Sequence, residues 1–468
     1  MLQLLGDTGK GEGEEVIGPY SSIREMTSAL KKREVSSVEL TEMYLKRLKT
    51  LGHEHNAVAE LTEELALKQA KAADATEAKS PLHGIPYGAK DLYATKDIPT
   101  RWGSPGHADQ VFPYNATSID HLEAAGAVLV AKLEMIELAG GGNYNVANAS
   151  RMGPCLSAWD KKLWAGGSSS GSGAATALGC VGFSLGSETS GSIVCPSAFN
   201  GATGFRPTYG RVSRHGAMAL CWTLDKLGPI CRSADDCGLV LEAISGYDVK
   251  DGSSLKEKLS LRATGPKPKI GLVKETFKDS KAEVCEKAYH GALDALRKLG
   301  YETVEIAYPD LPYNAAIDII VGAEGASAHE NFIRGDRFQK LQDVNQVAGF
   351  AAALEIRAVD YLWAMRIRTE ALRANEVWEK CDCIFTPSFY HKAISAELPF
   401  DQTWVNMGGD NGPSNLLGWP AIAFPIGFED GAPIGGQIIA PALREDTCLR
   451  VAKDFQRVTD FHLKHPVP

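Results

Sequence analysis

The chain has 468 residues, 44% of them hydrophobic and 23% charged, with a formal net charge of −9 spread along its length. That length buries a large core, that composition is an ordinary soluble globular protein's, and the absence of a basic stripe argues against nucleic acid as the main partner. No apolar run reaches the length that spans a bilayer, so no membrane is expected.

Residues 1–20, MLQLLGDTGKGEGEEVIGPY, lack a basic start followed by an apolar stretch. They read as a flexible acidic lead-in rather than a secretory signal. Ser36 and Glu39 have capping-box spacing ahead of the amphipathic run VELTEMYLKRLKTL. A second helix is predicted over Leu61 to Ala75. A short helix from His121 stops at Gly126 and leads into the strand AVLVA. Further on, strands near Ile270 and Val304 bracket an amphipathic helix from Lys281 to Leu299. Long helical stretches follow over Asn314 to Arg334 and Ala351 to Glu379. The apolar runs CIFTP, AIAFPI and GGQIIA read as buried strands, and Asp446 to Val458 as a closing helix. Helix and strand in alternation predict an α/β fold: one large domain around a central mixed, mostly parallel twisted sheet, with helices on both faces. The short segment ATGPKPK, Ala263 to Lys269, is the best linker candidate, but strand-like segments flank it and no internal repeat is present.

Ten cysteines are scattered without CxxC spacing. Mostly buried, reduced thiols in a cytoplasmic protein are the simplest reading. Cys381-Asp382-Cys383 opens the predicted strand CIFTP, so a metal site is not expected there.

The stretch from Gly166 to Gly210 concentrates glycine and hydroxyl residues at a density that core packing does not need. Apolar runs within it, such as ATALGCVGFSLG, are wrong for a solvated linker. Gly167, Ser169 and Gly171 fit G-x-S-x-G, but an elbow of that type needs a strand just before it and a well-placed histidine after it. The preceding residues are DKKLWA, and His391, His462 and His465 are poor candidates. A dinucleotide loop fares worse, because Gly171-x-Gly173 lacks a third glycine and a leading strand. The segment has no histidine, so a nucleophilic serine in it would need a base from elsewhere, and Lys90 in HGIPYGAKDLY is available.

Gly166–Ser172 and Gly186–Val194 resemble the two serine blocks of the amidase signature family. GIPYGAKDLY (Gly84 to Tyr93) is similar to its lysine block. Segments within Thr208 to Asp236 and the stretch from Asn415 to Ala440 also resemble that family, in order and spacing. The resemblance implies an amidase signature domain over 21–468, with its catalytic core at about 80–240 and a helical insertion at about 310–380. It implies Lys90 as base, Ser168 on a cis peptide as bridge, and Ser192 as nucleophile. The oxyanion hole then falls on the amides of Thr189, Ser190, Gly191 and Ser192, and the glycine-rich loop with Gly141, Gly142, Asn143 and Tyr144 is the expected substrate wall. An unactivated serine needs a base within reach, and lysine serves only when neutral, which burial favours. Asp91 beside Lys90 would oppose that, so its carboxylate is expected to point elsewhere and hold backbone.

Several positions depart from the family pattern. Ser170 stands for a glycine, Glu188 for an aspartate, Ser190 for a glycine, and Val194 for an arginine. The lost arginine means that the support of this loop must be built differently. Arg206, Arg211, Arg214 and His215 read as structural. Trp164, Trp222, Tyr144 and Trp404 are aromatic candidates for core or site. The family implies hydrolysis of a carboxamide, with esters, anilides, carbamates and ureas open to the same acyl transfer. The alternatives are the amidase subunit of a transfer-RNA amidotransferase, which shares the TYGRVSR segment, and a non-catalytic scaffold of the same fold. The expected partners are a small-molecule amide and water, with a homodimer left open. No metal or organic cofactor is implied.

Overall fold

The computed structural model describes residues 17–274, 276–277, 283–403 and 411–467. Most of the predicted lead-in, the first two residues of the predicted Lys281 helix, and Trp404 lie outside these. Eleven strands form one sheet: β1 (Val58–Leu61), β2 (Pro86–Lys90), β3 (Val128–Leu133), β4 (Phe183–Glu188), β5 (Thr203–Arg206), β6 (Lys226–Cys231), β7 (Ile270–Val273), β8 (Thr303–Ile306), β9 (Cys383–Pro387), β10 (Ala421–Glu429) and β11 (Ala432–Ile439). Their order across the sheet is β1-β3-β2-β4-β6-β5-β10-β11-β9-β7-β8.

Helices cover both faces, as the alternation of side chains along the strands shows. Leu129 of β3 joins one apolar cluster, while its neighbours Val128 and Val130 join another. In β10, Ile422 and Phe424 face the first cluster and Ala423 a third. The sheet is mixed, but it is not mostly parallel. The pairs β3/β2, β2/β4, β9/β7 and β7/β8 are parallel. The other six pairings among the described residues are antiparallel. A strand buried on both faces carries the same apolar pattern in either direction, so the pattern does not report orientation. One turn does report it: Asp430 and Gly431 join β10 to β11 with φ of 48° and 76°, the left-handed pair that tight hairpins require.

Local signals set most of the boundaries. Ser36 and Glu39 close their capping box at the start of the helix Ser37–Arg47. The second predicted helix is Glu63–Asp74, its first residues belonging instead to β1. The short one begins earlier than expected, Thr117–Ala124. Two long predicted helices are broken. The first becomes Tyr313–Ala328 and Glu330–Ile333, parting at His329. The second divides into Val344–Ala353, Ala358–Ala371 and a 3-10 segment, Leu372–Glu379. All ten cysteines are buried, and among the described residues no helix is long and apolar enough to cross a membrane.

Candidate active site

Adjacent parallel strands β2 and β4 end side by side, with Ala89 level with Leu185. Their carboxyl ends deliver Lys90 and Ser187 to one point, the edge where open α/β sheets place their chemistry. The helix Ser170–Ala177 starts at the same point and packs against this part of the sheet. Its small residues permit the approach: a Cβ on Gly171 would lie 2.3 Å from the Ala57 carbonyl oxygen. Ser168 precedes this helix, and the Gly167–Ser168 peptide is cis.

Lys90 is fully buried. Its Nζ lies 2.8 Å from Ser168 Oγ and 2.9 Å from Ser187 Oγ. A charged amine can only donate to both hydroxyls; a neutral one has a lone pair with which it can accept from one of them. Burial drives the pKa of this amine down to about 7, against the pull of the Asp225 and Glu188 carboxylates. Asp91, also fully buried, turns away from Lys90. One of its carboxylate oxygens lies 3.2 Å from Lys132 Nζ, and the other accepts the Arg101 amide at 2.9 Å. Lys132 is a partner that the sequence reading did not supply.

The loop 189–192 is held from three sides. Thr189 Oγ1 donates to Asp225 Oδ1 at 2.6 Å, and its carbonyl accepts Lys226 Nζ at 3.1 Å. Glu188 Oε2 accepts the amides of Ile193 (2.8 Å) and Val194 (3.0 Å), and Oε1 meets the Arg206 guanidinium at 2.6 Å. Buried, this carboxyl would rise in pKa, but Arg206 and Lys226 hold it down at about 2. Arg206 is thus the guanidinium of this network, in place of the arginine missing at Val194. Gly191 takes φ of 91°, which opens the turn toward the cavity.

Thr189, Ser190, Gly191 and Ser192 line a cavity of about 480 Å3 together with Gly141, Gly142, Asn143 and Tyr144. The structure therefore brings both sequence-predicted groups to one cavity. The Ser169 amide donates to the Ser192 carbonyl at 3.3 Å, but its side chain is turned to β4. Its buried hydroxyl donates to the Ser187 carbonyl at 3.1 Å and accepts the Ser187 amide at 3.2 Å. It is tied to β4, and the strand that an elbow requires does not precede it. A smaller cavity of about 180 Å3 shares Ala139, Thr189 and Leu220 with the first and is lined also by Ser187, Arg214, His215 and Trp222. Trp164 is core. Arg211 pairs with Glu445 at 3.3 Å, and Arg214 Nη2 bonds Ser253 at 2.6 Å.

Sequence reasoning missed Ser187, Asp225 and Lys226. No local signal marks them: alternation along FSLGSE puts Ser187 on one face with Leu185, which is level with Ala89 rather than with Lys90.

The family model described as Amidase matches residues 39–449. A glutamyl-tRNA(Gln) amidotransferase subunit from Coxiella burnetii is 35% identical, over 95% of this chain and 99% of its own. Among solved structures, a chain from a vestigial protein complex bearing on the origins of an s-triazine catabolic enzyme superposes with a TM-score of 0.85. It is 29% identical and covers 93% of this chain and 98% of its own. The peptide amidase of Stenotrophomonas maltophilia superposes with a TM-score of 0.82, at 25% identity over 93% and 96% of the two chains.

Proposed function

This chain belongs to the amidase signature family, enzymes of amide C–N bonds, and we propose that it hydrolyses carboxamides through an acyl-enzyme on Ser192. Neutral Lys90 draws the proton of Ser168, which draws that of Ser192 as the Ser192 oxygen attacks the carbonyl carbon. The amides of residues 189 to 192 receive the oxyanion, each such donor contributing about 3 kcal/mol in well-built sites. The C–N bond breaks as the relay returns its proton to the departing amine. Water then takes the place of Ser192, using the same relay as base. Esters and carbamates follow the same route. The observation that carries this reading is the fully buried Lys90 amine 2.8 Å from Ser168 Oγ, burial that lowers its pKa to about 7. Ten buried thiols suit a reducing compartment such as the cytoplasm.

The relatives' names favour a second reading, in which the chain frees ammonia from glutamine as one component of a transfer-RNA amidotransferase. The cavity supports it less. Glutamine's carboxylate finds no cation among the described lining residues, where the only charged side chain is Asp318, a partner for its ammonium alone. The test is to purify the chain alone and offer it glutamine beside neutral alkyl and aryl amides, esters and carbamates. Turnover of the neutral amides supports the hydrolase. Ammonia from glutamine alone, or activity only when the other components are added, supports the amidotransferase.

A further inference from the structure

The cavity in front of Ser192 has an outer wall built by two helices. From Tyr313–Ala328 come Ile317, Asp318, Val321 and Gly322, spaced as one helical face. Facing them, Val344–Ala353 offers only small residues, Gly349, Ala352 and Ala353. The result is an apolar slot with one carboxylate at its mouth. The helix bearing that carboxylate is fixed: further along it, Glu324 accepts the Thr223 hydroxyl and the Tyr361 hydroxyl, each at 2.8 Å. The Asp318 side chain is exposed and makes no ion pair or hydrogen bond with another described residue. The wall nevertheless desolvates its carboxyl enough to raise its pKa. An adjoining hollow shares Gly140, Asn143 and Tyr144 with the cavity and adds a second acid, Asp401, with no base among its described residues. A carboxylate held on a rigid element beside an apolar slot, with no cation among the described residues that line it, is complementary to a positive group at the end of an apolar arm.

We propose that Asp318 sets substrate charge: the site favours carboxamides whose apolar arm ends in a cation, an alkylammonium or guanidinium, and disfavours those ending in a carboxylate. The substrate class rests on the hydrolase reading above; the charge preference of the cavity does not.

The experiment uses three amides of one length, 5-aminopentanamide, pentanamide and 5-amino-5-oxopentanoate, with wild-type, Asp318→Asn and Asp318→Lys protein. In the wild type, kcat/KM ranks cation above neutral above anion. Asp318→Asn lowers the ratio of the cation's kcat/KM to the neutral amide's about fivefold, through KM. Asp318→Lys inverts the order. In parallel, calorimetry compares binding of pentylammonium and pentanol to the same three proteins, which reads charge preference without turnover. Tighter binding of pentylammonium by the wild type, lost in Asp318→Asn, supports the inference even if none of the amides is hydrolysed; that failure counts against the hydrolase alone. A charge preference that is the same in all three proteins overturns the inference, whichever amides turn over.

Discussion

Lowering the pH from 8 to 6 should remove about nine-tenths of kcat/KM for a neutral amide. The Lys90 amine has a pKa of about 7 because its ammonium is stripped of water. With that pKa, the neutral base makes up about 90% of the enzyme at pH 8 and about 10% at pH 6. The sign follows from the base role: activity is full above the folded pKa and is lost as the amine gains its proton. Asp225 and Glu188 oppose burial by favouring the ammonium, so Asp225→Asn should move the inflection to lower pH. Asparagine keeps one acceptor oxygen for Thr189, Leu220 and Cys221, whose donors Asp225 now holds. The height of the plateau can change through those contacts, so the position of the inflection is the readout. Initial rates at low substrate across pH 5.5–9, for both proteins, supply it. A flat profile, or an inflection that stays in place in Asp225→Asn, would refute Lys90 as the titrating base.

Arg206→Met should lower stability by about 3–5 kcal/mol, because it strips the closest cation from a fully buried carboxylate, and a denaturant midpoint equal to wild type would contradict this. In the same variant kcat should fall more than KM rises, since Glu188 holds the amides of Ile193 and Val194 next to the nucleophile. Gly349→Ala should impair both substrate binding and turnover. Its Cβ would sit 2.0 Å from the Gly142 carbonyl oxygen, so the helix and the glycine loop must separate; kinetics within twofold of wild type would count against that close approach. Ser169→Ala should cost about 1–3 kcal/mol of stability by leaving the Ser187 amide without its acceptor, while kcat stays within about tenfold of wild type. A dead but folded Ser169→Ala protein would point to the wrong serine.

Much of the architecture was legible in the chain because its signals are local. The capping box at Ser36 and Glu39, the amphipathic period before Lys298 and the apolar runs of β9, β10 and β11 act within a few residues of themselves. Strand direction was not local, except at Asp430-Gly431, where a hairpin turn was there to be read. The break before Ala358 has no glycine or proline to announce it; Ile356 turns there into the cavity wall, a tertiary demand that helical propensity does not record. In the site, Lys90 and Ser168 came from motifs, and the structure sets them in contact. The network behind them did not. Arg206 meets Glu188 across 18 positions of chain, and only the fold shows which of several arginines takes that place. Asp318 belongs to no motif, and an acid on a helix is most often a solvated one.

Labelling the folded protein with a fluorophosphonate and mapping the modified peptide by mass spectrometry tests the acyl-enzyme claim most directly. The account predicts a single adduct on Ser192, slower labelling in Ser168→Ala and Lys90→Met, and none in Ser192→Ala. An adduct on Ser169 or Ser168, or turnover that survives Ser192→Ala, would contradict it.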